Sequence, residues 1–193
     1  MTVARNKAVF LDRDGVLNNA IIKNNKPYPP QNLQALEIPP DVLPSLLTLK
    51  SAGFLLIGAT NQPDVARGKI LKETVKEINA KILLELPLDD LCVCYHDDKD
   101  QCPCRKPKPG LLLEAAHNYH IDLSQSYMIG DRWKDVEAGK SAGCKTVWLY
   151  QAYDEPQPSK GADYMTTSLS EGVSWIIRNL YEITRPVESK NFC

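Results

Sequence analysis

No run of this chain is apolar for anything near the ~20 residues that a membrane helix needs, so a spanning segment is not expected. The first residues, Met1 to Lys7, are polar and hold no signal-peptide core. Cys193 is the final residue and not fourth from the end, so it makes no prenylation box. Aromatic residues are only 7% of the chain, and Trp133, Trp148 and Trp175 read as packing and not as a base-stacking platform. An excess of charge of one sign is missing as well. The 23 Lys and Arg nearly balance the 24 Asp and Glu, so nothing draws the chain generally to nucleic acid or a lipid surface. There is no internal repeat and no low-complexity tract. A length of 193 residues fits a single domain, 1–193, with a sizeable core and a loose tail at 186–193. These absences predict a cytoplasmic protein, a monomer or weak homodimer, with neither nucleic acid nor membrane as partner.

Cysteine, by contrast, is present and clustered. Four of six fall between Cys92 and Cys104, beside His96. Without a secretory signal, such clustering reads as metal binding rather than as disulfides. Three thiolates and one imidazole make a closed tetrahedral zinc set, and the candidates are His96, Cys102, Cys104 and either Cys94 or Cys92. Cys144 reads as a buried, inert thiol, and His117 and His120 as surface or packing residues.

The apolar run Ala8 to Leu11 predicts a buried strand that ends in Asp12-Arg13-Asp14-Gly15. Residues i and i+2 of an extended chain point the same way, so Asp12 and Asp14 face a common site, and Gly15 lets the chain turn away. Two like charges that close call for a shared proton or a hard cation such as Mg2+. A polar, proline-bearing loop over 18–34 is too long for a plain connection and is placed to shape a substrate mouth. A helix is expected from Pro40 to Ala52, capped by Asp41 and stopped by Gly53, with Leu43, Leu46, Leu47 and Lys50 on one face. Further strands are expected near 54–57, 91–95, 127–129 and 146–149, alternating with helices near 71–82, 110–119, 133–142 and 173–180, with 151–160 as a loop. That alternation predicts an α/β fold, a Rossmann-like doubly wound parallel sheet of about five strands.

Three further chemical positions fall at strand ends. Thr60 and Asn61 can offer a hydroxyl and backbone amides to a phosphate. Lys106 lies in the basic turn Cys104-Arg105-Lys106-Pro107-Lys108, beside a helix start that favours an anion. Asp131 follows Met128-Ile129-Gly130, with Asp135 four residues on. In order, the acidic pair, Thr-Asn, Lys and Gly-Asp-x-x-x-Asp resemble the motifs of the haloacid dehalogenase superfamily of phosphohydrolases, over Ala8 to Leu149. The resemblance implies a capless phosphomonoesterase with Asp12 as the nucleophile and an aspartyl-phosphate intermediate. Asp14 would be general acid and then base, while Thr60 and Lys106 would hold and neutralise the phosphoryl group. Mg2+ would sit on Asp12, Asp131 and the backbone carbonyl of Asp14, with Asp135 orienting Lys106 or a coordinated water. Asn61, Gln62, Arg105 and Arg132 would contact substrate.

Cys-x-His followed by Cys-x-Cys recurs in one branch of that superfamily, and this resemblance selects Cys94, His96, Cys102 and Cys104 as the zinc ligands within a loop 92–106. The zinc would be structural and hold the loop that delivers Arg105 and Lys106. The branch contains the D-glycero-D-manno-heptose 1,7-bisphosphate phosphatases and the histidinol-phosphate phosphatases. Phe10 to Asn18 and Thr60 to Gly68 look like the heptose type, with Pro63-Asp64 in place of the more usual Ser-Gly. The five residues between His96 and Cys102 look like the histidinol-phosphate type. The resemblance thus implies a small phosphorylated metabolite, a heptose 1,7-bisphosphate that loses its 7-phosphate, with histidinol phosphate as the alternative. A reading from another class is a non-catalytic, zinc-stabilised phosphate-binding module, which the intact Asp12 and Asp14 disfavour.

Overall fold

Strand β1 (Ala8–Leu11) takes the middle of the sheet because all four of its side chains are apolar and can be buried on both faces. The structure, a computed structural model, describes residues 5–184; the expected tail at 186–193 lies outside them. A hairpin of β2 (Ile21–Lys23) and β3 (Lys26–Tyr28) follows, then α1 (Val42–Ser51) and β4 (Leu55–Asn61). Next come α2 (Lys72–Glu85), β5 (Asp90–Cys94), α3 (Gly110–Asn118) and β6 (Tyr127–Gly130). The chain continues through α4 (Trp133–Ala142), β7 (Lys145–Leu149), β8 (Tyr164–Thr166) and α5 (Leu169–Thr184).

Six strands pair in the order β5-β4-β1-β6-β7-β8, all parallel. Register is fixed at the centre, where Phe10 lies between Ile57 and Met128. Alternation along β1 sorts the two cores. Val9 and Leu11 join Leu46 of α1, Ile78 of α2 and Ile176 of α5 on one face. Ala8 and Phe10 join Leu112 of α3 and Met128 on the other. On that second face Gly139 lets α4 lie against Met128 and Thr146, since a Cβ there would sit 2.6 Å from the Met128 Cβ. The sheet is therefore doubly wound, as the sequence predicts. Strand order reverses at β1, and ligands of open α/β sheets bind at such a switch point, beyond the strands' carboxyl ends.

Four details differ from expectation. The sheet has a sixth strand, β8, whose three residues are too few to show a pattern. The 18–34 segment is no plain loop: Asn24 and Asn25 both adopt positive φ, +49° and +57°, and close the β2–β3 hairpin in the primed geometry that suits strand twist. Helix α1 buries Val42, Leu46 and Leu49, while Leu43 and Leu47 are exposed. It carries two apolar stripes, and the core takes the one spaced i, i+4, i+7. Asp41 does not cap it, because its own backbone is already helical and its side chain makes no capping bond. Trp148 and Trp175 pack as expected, Trp175 stacking on Tyr164 at 5.2 Å.

Candidate active site

The carboxyl ends of β1, β4 and β6 converge on one buried lysine. Lys106, 2% exposed, donates from Nζ to Asp12 Oδ1 at 2.7 Å, to the Ala59 carbonyl at 2.6 Å and to Asp135 Oδ1 at 2.5 Å. Burial works against its charge, but Asp12 and Asp135 outweigh that and hold its pKa above the ordinary value. Asp12 moves the other way. Burial first, then repulsion from Asp135, lifts its carboxyl to about 6 against the pull of Lys106. Asp131 is pushed well above the usual carboxylate range by burial and by Asp12 and Asp135.

Each position has a local cause. Gly15, at φ +97°, turns the chain beneath Asp131; a Cβ there would lie 1.9 Å from Asp131 Oδ2. A Cβ on Gly130 would meet the Asp135 Cβ at 2.1 Å, so the Gly-Asp pair is what lets Asp135 reach the site. Asn61 clamps the backbone of Lys106 twice: its Oδ1 accepts from Lys106 N at 3.1 Å, and its Nδ2 donates to the Lys106 carbonyl at 2.9 Å.

Asp14 sits beside this group with its carboxylate fully engaged. It accepts from Arg13 Nε at 3.1 Å and Nη2 at 3.0 Å, from Asn18 Nδ2 at 3.1 Å and from Gln62 Nε2 at 2.8 Å. Arg13 is completely buried and is tied to α2 through Asn79 Oδ1 at 2.8 Å. Gln62 also donates to Thr60 Oγ1 at 2.9 Å. It is 1% exposed, and its amide joins Asp14 to Thr60.

Asp12, Asp131 and Asp135 offer oxygens within 4.8 Å of one another, and Asp131 Oδ1 is buried with no hydrogen-bond partner. Three buried carboxylates with one lysine among them and an orphaned oxygen suit a hard divalent cation such as Mg2+. A second cluster joins Cys94, His96, Cys102 and Cys104, with Cys–Cys sulfur separations of 3.2–3.6 Å and His96 Nδ1 at 3.4 Å from Cys104 Sγ and 3.7 Å from Cys94 Sγ. A tetrahedron with zinc–sulfur bonds near 2.3 Å has edges of about 3.8 Å, somewhat longer than these separations, and three thiols clustered with one imidazole are a donor set that fits zinc. Cys92 stands apart, its thiol against Asp90 and pushed up to about 12 by burial. Burial likewise raises Cys144 to about 12, in keeping with an inert thiol.

The site opens into a cleft of about 220 Å³. Lys26, Pro27, Tyr28 and Pro29 of the hairpin form one wall, so the 18–34 segment does shape the mouth. Arg67, Lys69, Arg105, Arg132 and Lys134 add positive charge around it. Arg105 leans on Asp98 Oδ1 at 2.8 Å, Arg67 on Asp97 at 2.5 Å, and Arg132 pairs with Glu155. Sequence reasoning missed Arg13, Tyr153 and Glu155. Tyr153 donates to Asp131 Oδ2 at 2.8 Å from a segment read only as a loop, and nothing local in the sequence announces that contact.

A strand-end carboxylate paired with a buried lysine at a switch point, with two more carboxylates behind it, defines a class of phosphohydrolase. Comparison with known proteins agrees. A family model described as "HAD-hyrolase-like" matches residues 103–171. The chain is 33% identical to the D-glycero-beta-D-manno-heptose-1,7-bisphosphate 7-phosphatase of Helicobacter pylori (strain J99), over 90% of this chain and 99% of that one. It is also 33% identical to the Escherichia coli (strain K12) protein of the same name, over 85% and 90% of the two chains. Among solved structures it is similar to D,D-heptose 1,7-bisphosphate phosphatase from B. bronchiseptica complexed with magnesium and phosphate, with a TM-score of 0.72 and 25% identity over 90% of this chain and 99% of that one. The chain belongs to the haloacid dehalogenase-like phosphatases and is a phosphoric monoester hydrolase.

Proposed function

We propose that this phosphatase removes the 7-phosphate of a D-glycero-D-manno-heptose 1,7-bisphosphate through an aspartyl-phosphate on Asp12. The observation that carries the substrate class is the cleft's charge. Outside the catalytic group of Asp12, Asp14, Lys106 and Asp135 it is lined by Lys26, Arg67, Lys69, Arg105, Arg132 and Lys134 against Asp64, Asp98 and Glu155, a local surplus that suits a substrate with a second phosphate. The named activity of relatives matched over nearly their whole length supports the same reading.

In this mechanism an Asp12 oxygen attacks phosphorus in line, the bond to the sugar oxygen breaks, and Asp14, protonated once one of its contacts to Arg13, Asn18 or Gln62 is released, supplies the proton to that oxygen. Asp14 then takes a proton from water as the water attacks the phosphoaspartate, restoring Asp12 and releasing phosphate. Lys106 neutralises charge on Asp12 and on the phosphoryl oxygens, and the Thr60 hydroxyl holds one of those oxygens. Bound at Asp12, Asp131 and the Asp14 backbone carbonyl, Mg2+ would add positive charge against the same oxygens. Zinc on the cysteine–histidine set would be structural, because four protein ligands leave it no open position. Arg105 and Arg132 are the substrate contacts in this reading, and Asn61 and Gln62 position Lys106, Asp14 and Thr60.

The test is kcat/KM on both anomers of heptose 1,7-bisphosphate beside histidinol phosphate and an aryl phosphate. A preference of ~100-fold for the heptose, roughly 2.7 kcal/mol in transition-state binding, is the expected result. A like preference for histidinol phosphate would reassign the substrate, and no turnover of any ester would revive the non-catalytic module.

Metal binding gives a separate expectation. The raised pKa of Asp12 means that its contribution to the stability of metal-free protein is full below the unfolded value of 3.8 and is lost as pH climbs through about 6. A cation opposes that loss only where the carboxylate is ionised. Added Mg2+ should therefore raise Tm more at about pH 8 than at about pH 5. Equal shifts at both, by scanning calorimetry, would place the bound ion away from Asp12.

A further inference from the structure

The segment 151–155 is strapped across the back of the site at both of its ends. On one side Asn25 of the hairpin turn donates from Nδ2 to the Ala152 carbonyl at 3.0 Å, and Asp154 N donates to the Asn25 carbonyl at 2.9 Å. On the other, Glu155 makes a two-point contact with Arg132. Between them the Tyr153 hydroxyl donates to Asp131 Oδ2 at 2.8 Å. The same oxygen rests on the bare Cα of Gly15, and the Trp148 indole holds the Asp131 backbone carbonyl at 3.0 Å. One carboxylate oxygen is thus fixed from two sides, while Oδ1 is buried and has no partner.

We propose that Tyr153 is a positioning residue for the divalent-cation site: its phenol locks the rotation of the Asp131 carboxylate and so presents Oδ1 to the ion. This rests on the reading of Asp131 as a metal ligand. A carboxylate free to rotate must be ordered when it ligates, and a hydrogen bond to its far oxygen does that ordering beforehand. Loss of such an outer partner typically costs ~10–100-fold in metal affinity, and a neutral phenol belongs to the low end of that range. Arg132 follows Asp131 directly and Glu155 lies two residues beyond Tyr153, so the strap spaces its two contacts to match neighbouring residues at the end of β6.

The test is titration of the chelator-stripped, zinc-retaining protein with Mn2+, read by electron paramagnetic resonance, in wild type, Tyr153→Phe, Glu155→Gln and Asp131→Asn. Tyr153→Phe keeps the ring and removes only the hydroxyl; it should bind Mn2+ about 10-fold more weakly in a chain that still unfolds cooperatively, with Tm lowered by no more than a few degrees. Glu155→Gln loosens one end of the strap while Asn25 still ties Ala152 and Asp154, and should weaken Mn2+ binding clearly less than Tyr153→Phe does. Tyr153→Phe within two-fold of wild type, or Glu155→Gln weakened as much as Tyr153→Phe, would overturn the role given to the phenol. Unchanged binding by Asp131→Asn would overturn it while leaving the phosphatase reading in place. A wild-type chain that binds no Mn2+ would remove the metal centre and this inference together.

Discussion

Asp12→Asn is expected to lower kcat by roughly four orders of magnitude or more, about 5.5 kcal/mol of barrier, in a chain that still folds. The amide cannot attack phosphorus, and no other described carboxylate is placed in its stead: Asp14 is held by Arg13, Asn18 and Gln62, and Asp135 is committed to Lys106. Folding should survive because Lys106 keeps Asp135 and the Ala59 carbonyl as acceptors. It should even gain in metal-free protein near neutral pH, since burial and Asp135 make the ionised Asp12 costly. Steady-state kinetics on an aryl phosphate and calorimetry on the same sample check both halves. Retained turnover would move the attack to another residue; a collapsed Tm would show that the Asp12–Lys106 pair is needed for the fold.

Cys102→Ser should release zinc, and its kinetic effect should fall more on KM than on kcat. The two residues after Cys104 are anchored differently. Lys106 is held by the Asn61 clamp from β4 and by Asp12, Asp135 and Ala59, none of which needs the metal loop. Arg105 instead leans on Asp98, within the loop between His96 and Cys102, whose shape the zinc set would fix. Losing the ion should therefore scatter Arg105 and weaken substrate binding about 10–100-fold, with kcat changed far less. Metal analysis beside Michaelis parameters gives the answer. Full activity in zinc-free protein would separate the zinc loop from the chemistry.

Much of the site was legible because its parts are local. Asp12 and Asp14 are brought to one place by i, i+2 geometry, and Gly130-Asp131-x-x-x-Asp135 by one strand end and one helix turn. Likewise the zinc set needs only a strand end and a short loop. What escaped was non-local or evenly balanced. Tyr153 meets Asp131 from 22 positions away, across a segment without periodicity. Asn79 meets Arg13 from 66 positions away, on the face of α2 that periodicity marks as apolar. Leu43 and Leu46 offer α1 two stripes of like hydrophobicity, and only the packed sheet chooses between them. The Asn24-Asn25 turn reads in the sequence only as part of a loop, because β2 and β3 are too short for alternation to identify strands around it.

The place of β1 in the sheet also dictates an order of events during synthesis. This strand precedes the other described strands, yet one edge must wait for β4, and the other for β6 near residue 130. The Ala8 amide finds the Ser126 hydroxyl 118 positions later. Until β6 has left the ribosome, a fully apolar strand therefore stands with an open hydrogen-bonding edge. A message truncated before Gly130 would yield a fragment that can neither close its sheet nor assemble its carboxylates.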